Sequence, residues 1–77
     1  MLRLKNIRIT DKMAEADYYP EDSKQCGHIV VDLVTQETVT CDDVPGYWEM
    51  YPGHAKWHLI RMAAAGETDK ERLVMWY

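Results

Sequence analysis

Two histidines four residues apart, His54 and His58, are the first candidates for chemistry in this sequence. Positions i and i+4 of a helix lie on one face, with β-carbons roughly 6 Å apart, so both imidazoles could bind one divalent ion. The candidates for a third ligand are His28, Cys26 and Glu49. A zinc-protease helix carries glutamate directly after its first histidine, but here that residue is Ala55. Two histidines on a helix flank are also typical of ordinary, singly hydrogen-bonded side chains, and the sequence leaves both interpretations open.

The tripeptide Cys26-Gly27-His28 brings a thiol close to an imidazole. Nucleophilic catalysis also requires an orienting third group and an oxyanion site, and no glycine-rich elbow accompanies these residues. We therefore expect no catalytic pair here. The sequence as a whole favours a protein that is not an enzyme and needs no cofactor.

A disulfide between the two cysteines, Cys26 and Cys41, is not expected either. A hairpin folded about Gln36 places Cys41 opposite Val31, five residues from Cys26. At about 3.3 Å per residue this exceeds the limit of about 7 Å between bridged α-carbons. We expect free thiols, as in a reducing cytoplasm.

The stretch 47–51 is the best candidate for recognition of another protein. Tyrosine and tryptophan provide a large contact area with few rotatable bonds, and methionine adapts to irregular surfaces. The predicted partner-binding residues are Tyr47, Trp48, Met50 and Tyr51, with the carboxylates Asp42, Asp43 and Glu49. The alternative is that these rings pack into the core of a chain that has no phenylalanine.

Charge is unevenly distributed along this chain of net charge −4. Residues 1–12 carry four cations and one carboxylate, whereas residues 13–53 carry nine carboxylates and a single lysine. This pattern argues against nucleic acid as a direct ligand, because phosphate binding needs cationic surface. It favours a basic protein partner, unless the carboxylates are only solvated turns and strand edges.

These groups are positioned by one predicted helix, at about residues 54–65. Pro52 and Gly53 punctuate its start, and Gly66 stands where a left-handed C-terminal cap would lie. The predicted apolar side comprises Ala55, Leu59, Met62, Ala63 and Gly66, widened by Ile60 and Ala64.

The remaining segments alternate or are short, which is typical of strands. Strands are predicted over Leu2–Thr10, Met13–Tyr19, His28–Val34, Thr38–Cys41 and Leu73–Tyr77. The period slips at Asn6, which predicts a bulge there or a switch of faces, and Ala14, Ala16 and Tyr18 are expected to point inward. The predicted fold is a single α+β domain, 1–77, in which a four- to five-stranded antiparallel sheet (β-β-β-β-α-β) carries the helix on one face.

The third strand is apolar on both sides, so we expect it inside the sheet and covered on both faces. If the last strand lies beside it, the centre of the sheet is apolar on both faces. One helix covers only one of those faces. The other face then needs the segment 47–51 or a second copy of the chain, which predicts a homodimer.

The sequence offers no apolar run long enough to span a membrane, and its basic N-terminus lacks the apolar stretch of a secretory signal. We therefore expect a small non-enzymatic protein-interaction module in the cytoplasm, homodimeric and without membrane association. One alternative is an acidic inhibitor that occupies the cationic nucleic-acid groove of a larger enzyme, as a phage or mobile element would use against a bacterial defence nuclease. The other alternative is a metal-binding protein that uses His54 and His58.

Overall fold

A computed structural model of the chain describes residues 2–21, 24–42, 44 and 50–74, and for residues 50–52 it describes the backbone alone. The elements are β1 (Leu2–Ile9), β2 (Met13–Pro20), β3 (Gly27–Asp32), β4 (Thr38–Cys41), α1 (Met50–Ala65) and β5 (Arg72–Val74). The predicted α+β class and the element order β-β-β-β-α-β are confirmed.

The five strands form one antiparallel sheet in the order β4-β3-β2-β1-β5. β5 pairs with β1, with Val74 opposite Leu2 and Arg72 opposite Leu4. The last strand does not lie beside the third, because β3 has β2 on one side and β4 on the other. Residues 75–77, the rest of the predicted last strand, lie outside the described residues.

The predicted irregularity in β1 is confirmed as a bulge. The pairing with β2 slips between Lys5 and Arg8, and Asn6 has a φ of 53°, in the left-handed region that asparagine tolerates better than most residues. Leu4 and Ile7 are three positions apart and would point to opposite faces of a regular strand. With the bulge between them, both are buried under the helix.

The buried face of the sheet comes from alternating residues of β2 and β3. Ala14, Ala16 and Tyr18 are buried, as predicted, and so are Ile29 and Val31 opposite them. α1 packs across β1, β2 and β3 on this side. The alanines leave room for the helix, and the larger side chains of the neighbouring strands fill the space around them.

The second face of β3 differs from its prediction. β3 is an interior strand, as expected, but His28, Val30 and Asp32 on the face away from α1 are all partly exposed. The predicted cover on both faces of this strand is therefore wrong. One valine between an imidazole and a carboxylate does not make an apolar face that must be buried.

β3 ends two residues earlier than predicted. The carboxylate of Asp32 accepts hydrogen bonds from the backbone N–H groups of Val34, at 2.8 Å, and Thr35, at 3.1 Å. Such a bond satisfies backbone donors within a turn and so competes with the continuation of the ladder. Val34 is consequently 74% exposed in the turn instead of extending the strand.

α1 begins at Met50, four residues before the predicted start. Pro52 lies inside the first turn, where a backbone N–H has no helical partner and its loss costs nothing. The Pro52-Gly53 pair therefore belongs to the first turn and does not precede the helix.

The predicted C-terminal cap at Gly66 is confirmed. Gly66 has a φ of 72°, which a residue with a β-carbon adopts only at a cost. Its N–H donates to the Ala63 carbonyl at 3.2 Å, and the N–H of Glu67 donates to the Met62 carbonyl at 3.0 Å. These two bonds define a Schellman motif, which satisfies carbonyls that the helix leaves unpaired.

The core lies between α1 and one face of the sheet. Ala55, Leu59 and Met62 are buried as predicted, whereas Ala64 and Gly66 are exposed, so the apolar side of the helix is narrower than expected. Burial of a leucine or methionine side chain contributes about 1.5–3 kcal/mol. The buried apolar residues are Leu2, Leu4, Ile7, Ala14, Ala16, Tyr18, Ile29, Val31, Val44, Ala55, Leu59, Met62 and Val74.

Within the described part of the chain, no helix combines the length and the apolar character needed to cross a membrane.

Candidate functional site

The predicted partner-binding stretch lies partly within the described residues. Met50 and Tyr51 form the beginning of α1. Asp42 is exposed just after β4, and its backbone carbonyl accepts a hydrogen bond from the Tyr18 hydroxyl. Tyr47, Trp48, Glu49 and Asp43 lie outside the described residues, so their part in partner binding stays a prediction.

The two helix histidines, His54 and His58, lie along α1. Nε2 of His58 is buried and has no hydrogen-bond partner among the described residues. Burial lowers the pKa of His58, and the positive charge of Arg72 lowers it further. Nowhere in residues 2–21, 24–42, 44 and 50–74 do three His, Cys, Asp or Glu side chains gather as metal ligands would. The metal hypothesis therefore gains no third ligand from these ranges.

Cys26 and His28 are neighbours in sequence, but their side chains have different partners. The Cys26 side chain hydrogen-bonds Tyr19, and this bond is the main cause that raises the pKa of Tyr19 above its usual value of 10. His28 lies opposite Asp17 of β2. Both thiols, Cys26 and Cys41, are free.

Cys41 is displaced from its predicted position in the hairpin. It lies opposite Ile29 and not opposite Val31, because the hairpin turns at residues 34–35, with Val31 opposite Thr38, and not about Gln36. Its side chain is half-buried, and its Sγ lies 3.9 Å from the Tyr18 hydroxyl.

A group of interacting titratable side chains lies on the sheet face away from α1. Nδ1 of His28 is 2.8 Å from Oδ1 of Asp17, and Nε2 is 3.6 Å from Oε2 of Glu15. The Asn6 amide donates to the other oxygen of Asp17 at 2.8 Å. Arg8 lies 3.8 Å from Glu15. We call these five residues the His28 cluster.

The cluster moves two pKa values in opposite directions. The hydrogen bond from Asn6, followed by that from His28, lowers the pKa of Asp17 below its usual 3.8. The hydrogen bond to Asp17 raises the pKa of His28 above its usual 6.5, against a smaller opposing effect of burial. Both shifts favour the charged forms, so the protonated imidazole of His28 and the carboxylate of Asp17 stabilise each other as an ion pair.

This geometry suits a structural ion pair better than catalysis. A general base must accept a proton near neutral pH, whereas both ring nitrogens of His28 face carboxylates that hold its proton in place. The nearest thiol in sequence, Cys26, contacts Tyr19 instead. The sequence offers His28 as a candidate but does not reveal its partners, because only the strand register sets Asp17 opposite it.

The most exposed aromatic side chain among the described residues lies on the other side of the molecule. Trp57 is 57% exposed, on the solvent side of α1. Gly53, Arg61, Ala64 and Ala65 are also exposed and share its side of the helix. We call these five residues the outer helix face. Trp57 is absent from the residues predicted above, although it lies two residues from Ala55 and hence about 200° away from the buried side.

Two open clefts border the described residues. One, of about 890 Å³, lies at the C-terminal end of α1 and contains neither histidine nor cysteine. Its apolar floor is formed by Ile7, Ile9, Leu33, Ile60 and Ala63. The other, of about 820 Å³, contains His28, Glu15, Arg8 and Asn6, and is therefore the solvent side of the His28 cluster.

The carboxylates of residues 13–53 do not share one environment. Glu15 and Asp17 contact His28, and Asp32 accepts backbone hydrogen bonds in its turn. Glu37 and Asp42 are exposed. Among the described residues, the strongly acidic segment is thus partly neutralised within the fold.

Comparison of the chain with known protein families, with curated proteins and with solved structures finds no significant match.

Proposed function

We propose that this protein is a small, non-enzymatic, cytoplasmic protein-interaction module, and that two copies associate through the outer helix face. The observation that carries the proposal is the 57% exposure of Trp57 on the solvent side of α1. Tryptophan is the residue most enriched at binding hot spots, because it contributes a large rigid contact area.

The surroundings of Trp57 suit a second helix. Gly53 has open space where a β-carbon would stand, and Ala64 and Ala65 are small, so another helix can approach closely. Antiparallel packing about a two-fold axis at the level of Leu59 sets Trp57 of one copy against Arg61 of the other. Guanidinium groups stack favourably on indole rings, and the two-fold axis forms this contact twice.

The small size of the outer helix face limits the strength of the association. α1 has 16 residues, a length of about 24 Å. One pair of such helices buries less than the roughly 1,200 Å² typical of stable complexes. We therefore expect a weak dimer whose population rises with protein concentration, unless the segment before α1 adds to the contact.

Sedimentation of the pure protein over a wide concentration range tests this proposal. The wild type should change from the mass of one chain towards that of two, and Trp57→Ala should stay at one chain. Val34→Ala is the matched control, because Val34 is an apolar side chain that is 74% exposed on a distant turn. That variant should associate like the wild type.

Two results would reject the proposed association. A wild type with the mass of one chain at every concentration rules out the dimer. A Trp57→Ala variant that dimerises like the wild type removes the outer helix face from the interface. Circular dichroism of each variant establishes that all three proteins are folded.

A second candidate function uses the acidic segment, which has Glu37 and Asp42 at exposed positions. A basic protein surface would complement it, and the acidic inhibitor of a nucleic-acid-binding enzyme is one form of such a module. Salt screens exposed charges, so this binding should weaken steeply between low and physiological ionic strength. Binding that is insensitive to salt would contradict it.

A further inference from the structure

The sheet face away from α1 carries a second surface with a distinct composition. Arg3 lies opposite Tyr19 of β2 on one side and opposite Leu73 of β5 on the other. Directly paired residues point to the same face of a sheet. Lys5 is two positions along β1 from Arg3 and shares that face. We call Arg3, Lys5, Tyr19 and Leu73 the cationic patch.

The ring of Tyr19 organises the two cations. The Arg3 guanidinium carbon lies 5.6 Å from the ring centroid, and the Lys5 ammonium lies 5.3 Å from it. Such contacts hold the two side chains over the ring. The ring has no net charge, so both positive charges stay available to an anion.

The other cations of this face are already paired with carboxylates. Arg8 lies 3.8 Å from Glu15, and His28 lies 2.8 Å from Asp17. In contrast, no carboxylate of the described residues lies within ion-pair distance of Arg3 or Lys5. Lys5 is opposite Asp17 in register, but Asp17 bonds Asn6 and His28 instead.

An apolar side chain completes the patch. Leu73 is 49% exposed beside Arg3. Two cations next to one aliphatic group complement a segment that carries carboxylates and an apolar side chain together.

We propose that the cationic patch binds an acidic segment of a partner protein, with carboxylates on Arg3 and Lys5 and an apolar side chain on Leu73. The patch lies on the opposite side of the sheet from α1, so the inference does not depend on dimerisation. Nucleic acid suits this surface less well. Phosphates next to those bound at the patch would lie near the carboxylates of Asp17 and Glu15. The Tyr19 ring is already in contact with Arg3 and Lys5, so it is not free to stack on a base.

The test uses a fluorescein-labelled synthetic peptide, Glu-Glu-Leu-Glu-Glu-Leu-Glu-Glu, and fluorescence anisotropy at low salt. The wild type should bind it, and Arg3→Gln/Lys5→Gln should weaken binding about tenfold or more, because two charge-assisted contacts are lost. Leu73→Ser should weaken it by a smaller factor. Arg8→Gln is the matched control, because Arg8 is a cation of the same strand but is paired with Glu15; it should bind nearly as the wild type does.

Three results would overturn the proposal. The first is no binding of the peptide by the folded wild type. The second is an equal loss in Arg8→Gln and in the double variant, which would mean attraction to diffuse charge. The third is tighter binding of a labelled oligothymidylate than of the peptide, with the same sensitivity to Arg3→Gln/Lys5→Gln, which would assign the patch to nucleic acid. Thermal unfolding of each variant excludes loss of fold as the cause.

Discussion

His28 and Asp17 are eleven residues apart in sequence but form one ion pair, with Nδ1 of the imidazole 2.8 Å from Oδ1 of the carboxylate. The antiparallel register of β2 and β3 places them directly opposite each other. The side chains are 41% and 24% exposed, so water screens the pair only in part.

The first prediction concerns the titration of the histidines. In an NMR titration of the folded protein, His28 should titrate above the usual 6.5, because its hydrogen bond to Asp17 favours the protonated form. His58 should titrate below it, because burial disfavours the charge. Asp17→Asn should move the pKa of His28 down and leave His58 nearly unchanged. A His28 pKa that ignores this substitution would contradict the ion pair.

The same pair makes stability depend on pH. The folded pKa of His28 lies above its unfolded value, so its contribution is complete below about pH 6.5 and is lost as the pH rises through the folded value. The folded pKa of Asp17 lies below its unfolded value, so its contribution is lost as the pH falls through that lower value. The free-energy difference between wild type and Asp17→Asn should therefore be largest at about pH 4–6.5 and should stay within about 1 kcal/mol. Urea denaturation of both proteins at pH 5.5 and 8.5 measures this free-energy difference. His58 is present in both proteins, so its own contribution cancels.

The second prediction concerns the contact between Gly27 and Tyr18. A β-carbon on Gly27 would lie 2.5 Å from Cε1 of the Tyr18 ring and 2.6 Å from the Asp42 carbonyl oxygen. The ring is buried, and the oxygen belongs to the backbone, so neither can move away cheaply. We expect Gly27→Ala to lower the free energy of unfolding by about 1–3 kcal/mol, as overpacking does.

Gly53→Ala is the matched control in the helix. An added β-carbon there has no atom within 4 Å, and alanine stabilises a helix relative to glycine by about 0.4–1 kcal/mol. Denaturant titrations should therefore give opposite signs for the two substitutions. A neutral Gly27→Ala variant would mean that the sheet opens at β3 to accept the methyl group.

Much of this fold can be predicted from local sequence patterns, which remain recognisable even when the end of an element is misplaced by a residue or two. Alternation at Ala14, Ala16 and Tyr18 fixes which side of β2 is buried, and the slip at Asn6 predicts the bulge because a change of period has few other causes. The cap at Gly66 is equally local. These features depend on neighbours in the chain, so the sequence alone suffices to find them.

The predictions that differ from the structure concern positions where segments far apart in sequence compete for the same place in the fold. Two apolar strands, β3 and β5, could pair by composition alone, but β4 occupies that side of β3 through a short hairpin. The predicted start of α1 is four residues too late, because proline is favourable both in the first turn of a helix and in the segment that precedes a helix. The His28 cluster also depends on residues far apart in sequence. Its members come together only when β2 and β3 pair in register, so the sequence alone does not reveal it.

The third prediction concerns the two thiols. Cys26 is exposed, whereas Cys41 is half-buried against the core. With a thiol reagent under native conditions, Cys26 should react first and Cys41 more slowly, because access limits the reaction. Mass spectrometry after partial labelling identifies the modified residue. Equal rates at both sites would show that the β4 edge opens readily.

The last prediction separates the two sides of α1. Leu59 is fully buried, so Leu59→Ala removes buried surface and leaves a cavity, at a cost of about 2–5 kcal/mol. In a chain of 77 residues, whose total stability is on the order of 5 kcal/mol, that loss should unfold much of the protein at 37 °C. Trp57 is larger but mostly exposed, so Trp57→Ala should change stability by less than about 0.5 kcal/mol at concentrations where the protein has the mass of one chain. At higher concentration the wild type should gain stability that Trp57→Ala lacks, because association stabilises the folded state by mass action. Thermal unfolding of both proteins over a range of concentrations measures this difference, and parallel behaviour at every concentration would mean that Trp57 makes no contact between copies.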